Sequence, residues 1–207
     1  MLLNHRPTKI LVSGASGTGK STFFTRYLLN TKAHPVRIIY DHEGELAYRL
    51  GLEAITDRAG LADAIETGWV IYDPVKEFEG DAPAGFEWFC QWTFSVAKEL
   101  RRPLLFACDE LQKLLTTSSL PPEFNTLNET GRRYGVDWIF IGQATNLVHN
   151  RIRNQVTEVV TFRQADENAV KFLEDLGFEA DELRGLEIGE YRSRSMLDGV
   201  TGSGRLF

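Results

Sequence analysis

Gly14-Ala15-Ser16-Gly17-Thr18-Gly19-Lys20-Ser21-Thr22 fits the pattern Gly-x4-Gly-Lys-Ser, in which a glycine-rich turn wraps closely around a polyphosphate. Its surroundings fit as well. Lys9-Ile10-Leu11-Val12-Ser13 reads as a buried strand, and Ser21 to Leu29 reads as a helix with Phe23, Phe24, Tyr27 and Leu28 on its apolar face. A strand, a glycine turn and a helix start bring backbone N–H groups and a positive helix end to one point, which predicts a nucleoside triphosphate site. The whole stretch from Gly14 to Thr22 is assigned to that site. Lys20 would reach the β- and γ-phosphates, and the Ser21 hydroxyl would ligate Mg²⁺.

Outward from this loop, apolar runs alternate with helical patterns, the mark of an α/β fold with a mainly parallel sheet flanked by helices. Strands are expected at 36–40, 69–72, 103–108, 136–142 and 156–162, with a late strand at 190–196. Helices are expected at about 60–66, 85–102, 111–115, 123–134 and 166–176. In the long 85–102 helix, Phe86, Phe89, Trp92, Val96 and Leu100 follow the helical period and read as core. Thr116 to Pro122 reads as a loop and the Gly-Ser tail after 196 as loose chain. No repeat or linker interrupts the sequence, so residues 1–207 are expected to form a single domain.

With 43% apolar and 25% charged residues the composition is that of a soluble globular protein. The net charge of −6 excludes nucleic-acid binding through a global basic field and leaves only a local basic strip. Cys90 and Cys108, the only cysteines, sit among apolar residues and are expected to be buried thiols in a reducing compartment. Met1 to Pro7 is too short for a signal peptide, and no apolar run approaches the ~20 residues that cross a bilayer.

Three strands end in aspartate: Asp41, Asp73 and Asp109. Asp109 is the preferred Mg²⁺ supporter, because its strand is wholly apolar and Glu110 follows it. In such a pair the aspartate positions the metal and the glutamate activates the attacking water. Gln143 follows the apolar run Ile139-Phe140-Ile141-Gly142, at the strand end that faces the ligand crevice of a parallel sheet. There it can bond the γ-phosphate or the attacking water.

These parts in this order resemble the FtsK/HerA superfamily of ring-forming, DNA-pumping P-loop ATPases. The matching pieces are 14–22, Ile-Ile-Tyr-Asp-His-Glu-Gly-Glu at 38–45, Leu-Leu-Phe-Ala-Cys-Asp-Glu at 104–110 and Gly-Arg-Arg-Tyr-Gly-Val-Asp-Trp-Ile-Phe-Ile-Gly-Gln at 131–143, followed by Ile-Arg-Asn-Gln-Val at 152–156 and Leu-Glu-Ile-Gly-Glu-Tyr at 186–191. In its length the chain is similar to the genome-packaging ATPases of tailless, membrane-containing phages and related viruses. The resemblance implies a RecA/FtsK-HerA-like P-loop NTPase fold, ATP and Mg²⁺ as cofactors, and a hexameric ring of identical subunits. It further implies double-stranded DNA as substrate, capsid or membrane-vertex proteins as partners, and a place in the host cytoplasm or on the virion. It also implies an arginine finger supplied by a neighbouring subunit. By position this is Arg132, then Arg133, with Arg151 and Arg153 as further finger or interface candidates. Lys98, Arg101 and Arg102 at one helix end, and Arg192 and Arg194 on the late strand, are candidate DNA contacts. Two other readings stay open at this point. One is a small-molecule P-loop kinase; the other is a module in which ATP gates assembly, as in filamentous-phage secretion proteins.

Overall fold

The computed structural model describes residues 6–115, 120–143 and 149–207; the first five residues and the expected loop positions Thr116 to Ser119 lie outside these. Its strands are β1 (Lys9–Ser13), β2 (Val36–Tyr40), β3 (Trp69–Tyr72), β4 (Leu104–Cys108), β5 (Val136–Gly142), β6 (Glu158–Thr161), β7 (Glu190–Ser195) and β8 (Thr201–Arg205). They form one sheet in the order β3-β2-β4-β5-β1-β6-β7-β8. The first six run parallel, and β7 and β8 are antiparallel additions at one edge. The helices are α1 (Lys20–Asn30), α2 (Glu45–Leu50), α3 (Leu61–Ala64), α4 (Ala82–Leu100), α5 (Leu111–Leu114), α6 (Pro122–Thr130), α7 (Asn150–Arg153), α8 (Glu167–Asp175) and α9 (Ala180–Gly185).

The continuous apolar runs are explained by burial on both faces of a parallel sheet. Ile10, Val12, Ile39, Ile71, Leu105 and Ile139 point to the layer containing Phe24 and Leu28 of α1 and Leu46 of α2. Leu11, Ile38, Tyr40, Phe106, Trp138 and Phe140 point to the layer of α4, α6 and α8, a second core rich in aromatic rings. Trp138 stacks on Phe140 with ring centroids 4.5 Å apart, and Phe106 meets Phe86, Phe89 and Phe140. Burying each such ring stabilises the fold by roughly 1.5–3 kcal/mol. Cys90 and Cys108 lie free and fully buried in this core, their thiol pKa values pushed up by burial.

The long helix begins at Ala82, earlier than the apolar pattern predicts, because the Asp81 side chain caps it by accepting a hydrogen bond from Ala84 N (3.0 Å). Its fully buried stripe is Phe86, Phe89, Cys90, Thr93 and Ala97; Trp92, Val96 and Leu100 lie on the flank, only partly buried. The sequence reading missed α2, α7 and α9, all of them short. It also needs correction at the tail, which is not loose. Residues 201–205 form β8, paired with β7 from Glu190↔Arg205 to Arg194↔Thr201. The glycines that gave the tail its flexible look are required by the pairing. A side chain at Gly204 would collide with the Tyr191 ring, and one at Gly202 would come within 2.8 Å of Ser193 Oγ.

Two buried polar groups tie the strand starts to the helices. Lys9 is 2% exposed, and its Nζ donates to Asn128 O (2.5 Å), near the end of α6, and to Gln155 Oε1 (3.0 Å). Burial, with Arg132 nearby, lowers its pKa to about 8. His34 Nε2 lies 2.7 Å from Asp137 Oδ2 at the same sheet edge.

The register sets where the site must lie. Ser13 at the end of β1 pairs with Gly142 and Thr161, and Cys108 at the end of β4 pairs with Tyr40 and Phe140. Gly14, Asp41, Asp109 and Gln143 therefore all leave the sheet at one edge.

Candidate functional site

The glycine loop is anchored at both sides before it turns. Phe162 N donates to Ser13 O (2.9 Å), and Ala15 N donates to Arg163 O (2.9 Å). Gly14, Gly17 and Gly19 take φ values of 154°, 73° and 118°, so the turn uses backbone conformations that side chains disfavour. Gly19 caps α1 in the left-handed region with no side-chain acceptor, and the first turn carries no acidic residue. The first N–H groups of α1 are thus left for an anion. Lys20 Nζ donates to Ala15 O (2.8 Å) inside the loop. Burial lowers the Lys20 pKa, and the Glu110 and Asp109 carboxylates oppose that shift.

The acidic wall comes from the neighbouring strands. Asp109 Oδ1 accepts from Glu110 N (2.7 Å). Burial raises the Asp109 pKa to about 6, with the Glu110 and Glu43 charges adding to the rise and the Glu110 N–H and Lys20 opposing it. Glu110 sits at φ 49° and ψ 46°, a left-handed conformation that a non-glycine residue holds only when its surroundings enforce it. Its carboxylate accepts from Gln143 Nε2 (3.1 Å) and also from Gln112 Nε2. The γ-phosphate candidate Gln143 and the water-activating candidate Glu110 are therefore directly connected. Asp41 and Asp73 serve local structure instead. Asp41 Oδ2 accepts from Ala47 N (2.9 Å) at the start of α2, and Asp73 Oδ1 accepts from Val75 N (2.9 Å).

Lys20, Ser21, Asp109, Glu110 and Gln143 line one cavity of about 480 Å³ with Ser16, Gly17, Gly19 and Thr22 of the glycine turn, whereas Gly14, Ala15 and Thr18 support the turn without lining it. The oxygen donors Ser21, Asp109, Glu110 and Glu43 suit a hard cation such as Mg²⁺. Among the described residues, no cluster of three or more histidine, cysteine or acidic side chains could hold a metal unaided.

The arginine candidates lie elsewhere. Arg132 and Arg133, both exposed, occupy the helical turn 131–134 that leads into the start of β5. Arg132 and Arg153 share a second cavity, of about 440 Å³, with Lys9 and Thr157 at the opposite edge of the sheet. Arg153 lies 5.0 Å over the Phe172 ring, and Arg151 is exposed on α7. Of the DNA candidates, Arg192 Nε donates to Glu182 Oε1 (2.5 Å) and Arg194 Nη1 to Gly177 O (3.3 Å), so both are engaged within the fold. Lys98, Arg101 and Arg102 are exposed at the end of α4. Phe94 of that helix packs edge-on against Tyr134 (5.5 Å), which brings this basic end beside Arg132 and Arg133.

No protein-family model matches this chain, and no curated protein does. Solved structures do match. The genome packaging NTPase B204 from Sulfolobus turreted icosahedral virus 2, in complex with AMP, superposes with a TM-score of 0.75 at 16% identity. The match covers 97% of this chain and 98% of that one. This is a P-loop NTPase fold. B204, the DNA-packaging ATPase from Sulfolobus turreted icosahedral virus, matches with a TM-score of 0.69 at 18% identity, over 98% of this chain and all of that one. EssC (ATPases 2 and 3) from Geobacillus thermodenitrificans matches with a TM-score of 0.61 at 12% identity, over 97% of this chain but 39% of that one. At these identities the likeness is one of fold, consistent with the FtsK/HerA resemblance.

Residues without an expected role also stand in or beside the P-loop cavity. Glu43 pairs with Lys113 across the cavity mouth, and Glu45 and Arg49 of α2 form another part of its wall. Glu43 and Glu45 belong to the quoted stretch 38–45, so a signal was present there. Gln112 stands two residues beyond Glu110, with its side-chain Oε1 buried and without a partner. The stretch 186–191 braces the P-loop itself, since Gly189 N donates to Thr18 O (2.9 Å). Among the described residues no helix is long and apolar enough to cross a membrane.

Proposed function

We propose that this protein is an ATP-hydrolysing, ring-forming motor that moves double-stranded DNA, of the viral genome-packaging kind. The observation that carries the reading is the cavity in which the phosphate loop meets Asp109, Glu110 and Gln143. The near end-to-end match with a packaging NTPase supports the specific form.

In this mechanism the α1 N-terminus and Lys20 neutralise the β- and γ-phosphates, and Ser21 and Asp109 hold Mg²⁺. Held there by Ser21 and Asp109, the metal would supply positive charge against the negative charge that develops during phosphoryl transfer. Glu110 takes a proton from the attacking water, whose oxygen bonds to the γ-phosphorus as the bond to ADP breaks. Gln143 senses the γ-phosphate, and its bond to Glu110 gives that sensing a route to the base.

A parallel strand of five residues spans ~17 Å, so a side chain at one sheet edge cannot act at the other. Arg132 and Arg133 therefore do not serve the nucleotide of their own subunit, which supports the trans role. Such a finger is worth ~10³–10⁵ in rate where it has been measured. The basic end of α4, close to these arginines, would follow DNA phosphates without reading sequence. Capsid or membrane-vertex proteins would seat the ring, in the host cytoplasm or on the virion.

Steady-state ATP hydrolysis, measured over a range of protein concentrations with and without long duplex DNA, tests the reading. Turnover is expected to rise with DNA and more than linearly with protein, and Arg132→Ala is expected to lower it by about 10³. Hydrolysis indifferent to DNA and to protein concentration contradicts the motor. Phosphate transfer to a small acceptor would then favour a kinase.

A further inference from the structure

The walls of the P-loop cavity are polar with one exception. Among the described residues that line it, Phe207 is the single aromatic, and the residue is 66% exposed. An apolar ring left open to solvent beside a polar cavity is a poor use of burial, and nothing in the core depends on it. It is nevertheless held firmly. Leu206 N donates to Gly189 O (3.0 Å), and Arg26 Nη1 donates to Leu206 O (2.6 Å). Arg205 Nε donates to the Phe207 main-chain oxygen (2.8 Å). The ring lies against Gly189, where a β-carbon would come within 2.8 Å of it, and Gly189 is itself bonded to Thr18 of the loop. Leu206 lies over Gly19 in the same way, with a β-carbon there 3.1 Å from Leu206 Cδ1. β8 thus fixes Phe207 in position relative to the phosphate loop.

The strand order then says which part of a nucleotide meets this ring. Asp109, Glu110 and Gln143 follow β4 and β5, on one side of β1, while β6, β7 and β8 lie on the other side. A nucleotide whose terminal phosphate faces Glu110 and Gln143 must direct its nucleoside toward the β8 flank. We propose that Phe207, backed by Leu206 and Gly189, is the stacking platform for the base of the bound nucleotide. This rests on the nucleotide-binding reading of the P-loop and extends it to the specificity of the site. Stacking on a π-face tolerates different bases. The site therefore accepts adenine and guanine nucleotides with similar affinity.

Calorimetric titration of the full chain, in the presence of Mg²⁺, with three probes tests the proposal: a non-hydrolysable ATP analogue, its guanine counterpart and inorganic tripolyphosphate. Phe207→Ala is expected to bind both nucleotides about tenfold more weakly and tripolyphosphate unchanged. Phe207→Trp is expected to keep nucleotide affinity and to show fluorescence quenching on binding that the wild type does not. Unchanged nucleotide affinity in Phe207→Ala overturns the platform while leaving the P-loop reading intact. An equal loss for tripolyphosphate also overturns it, because the tail would then be acting on the loop rather than on the base. A wild-type protein that binds none of the three probes removes the platform and the nucleotide site together.

Discussion

Glu110→Gln is expected to lower ATP turnover by about three orders of magnitude while nucleotide affinity stays within a few-fold of wild type. The exchange keeps size and shape but removes the proton acceptor. The carboxylate contacts two amide donors, from Gln143 and Gln112, and neither belongs to the phosphate-binding turn. Loss of one such bond changes local stability by roughly 1 kcal/mol, too little to unfold the protein. Single-turnover phosphate release combined with equilibrium binding separates the two effects. A variant that hydrolyses at the wild-type rate removes Glu110 from the role of base.

Asp109→Asn is expected to abolish Mg²⁺-dependent hydrolysis and yet to raise the stability of the nucleotide-free protein at pH 7.5. Burial raises the Asp109 pKa from 3.8 to about 6. The folded state therefore binds this proton more tightly than the unfolded chain does. The group's favourable contribution is fully present below about pH 4 and is lost as the pH rises through 6. At neutral pH the ionised, partly buried carboxylate opposes folding by about 1–2 kcal/mol, allowing for its partial solvation. Asparagine removes that charge, for a gain of about 2–8 °C in Tm in a chain of this size. The difference from wild type should shrink toward zero as the pH falls to 4. Equal Tm values at pH 7.5 would mean that the site does not strain this carboxylate. On the proposed reading, a cation arriving with the nucleotide would balance this carboxylate and remove the penalty.

The parts of this molecule that were legible in sequence are those whose physics is local. An unbroken apolar run such as Leu104 to Cys108 can be satisfied only between two helical layers, and the glycine pattern of 14–19 has few uses other than close backbone approach. What escaped was fixed by contacts distant in sequence. The tail composition of Gly202 and Gly204 signals flexibility until Ser193 and Tyr191 are placed opposite. Trp92 and Val96 have the helical period of a core stripe, but the helix turns Cys90, Thr93 and Ala97 inward instead. Lys9 falls within the strand expected to be buried, but nothing local to it announces that its ammonium is held by Asn128 and Gln155. In the site, Asp109, Glu110 and Gln143 could be found because each follows an apolar strand. Phe207 follows no such rule, and only the folded chain brings it to the cavity, as it brings Gln112 against Glu110. The arginines show another limit: Arg132 and Arg133 lie in the turn before β5, at the sheet edge opposite the phosphate loop, and their spacing in the sequence does not reveal that distance.

The most direct test of the account is ATP-driven displacement of a triplex-forming oligonucleotide from a long DNA duplex by the purified full chain. The account predicts displacement that requires ATP and Mg²⁺, is independent of duplex sequence, and is lost in Glu110→Gln. ATP hydrolysis without displacement, or displacement that Glu110→Gln supports equally well, would contradict it.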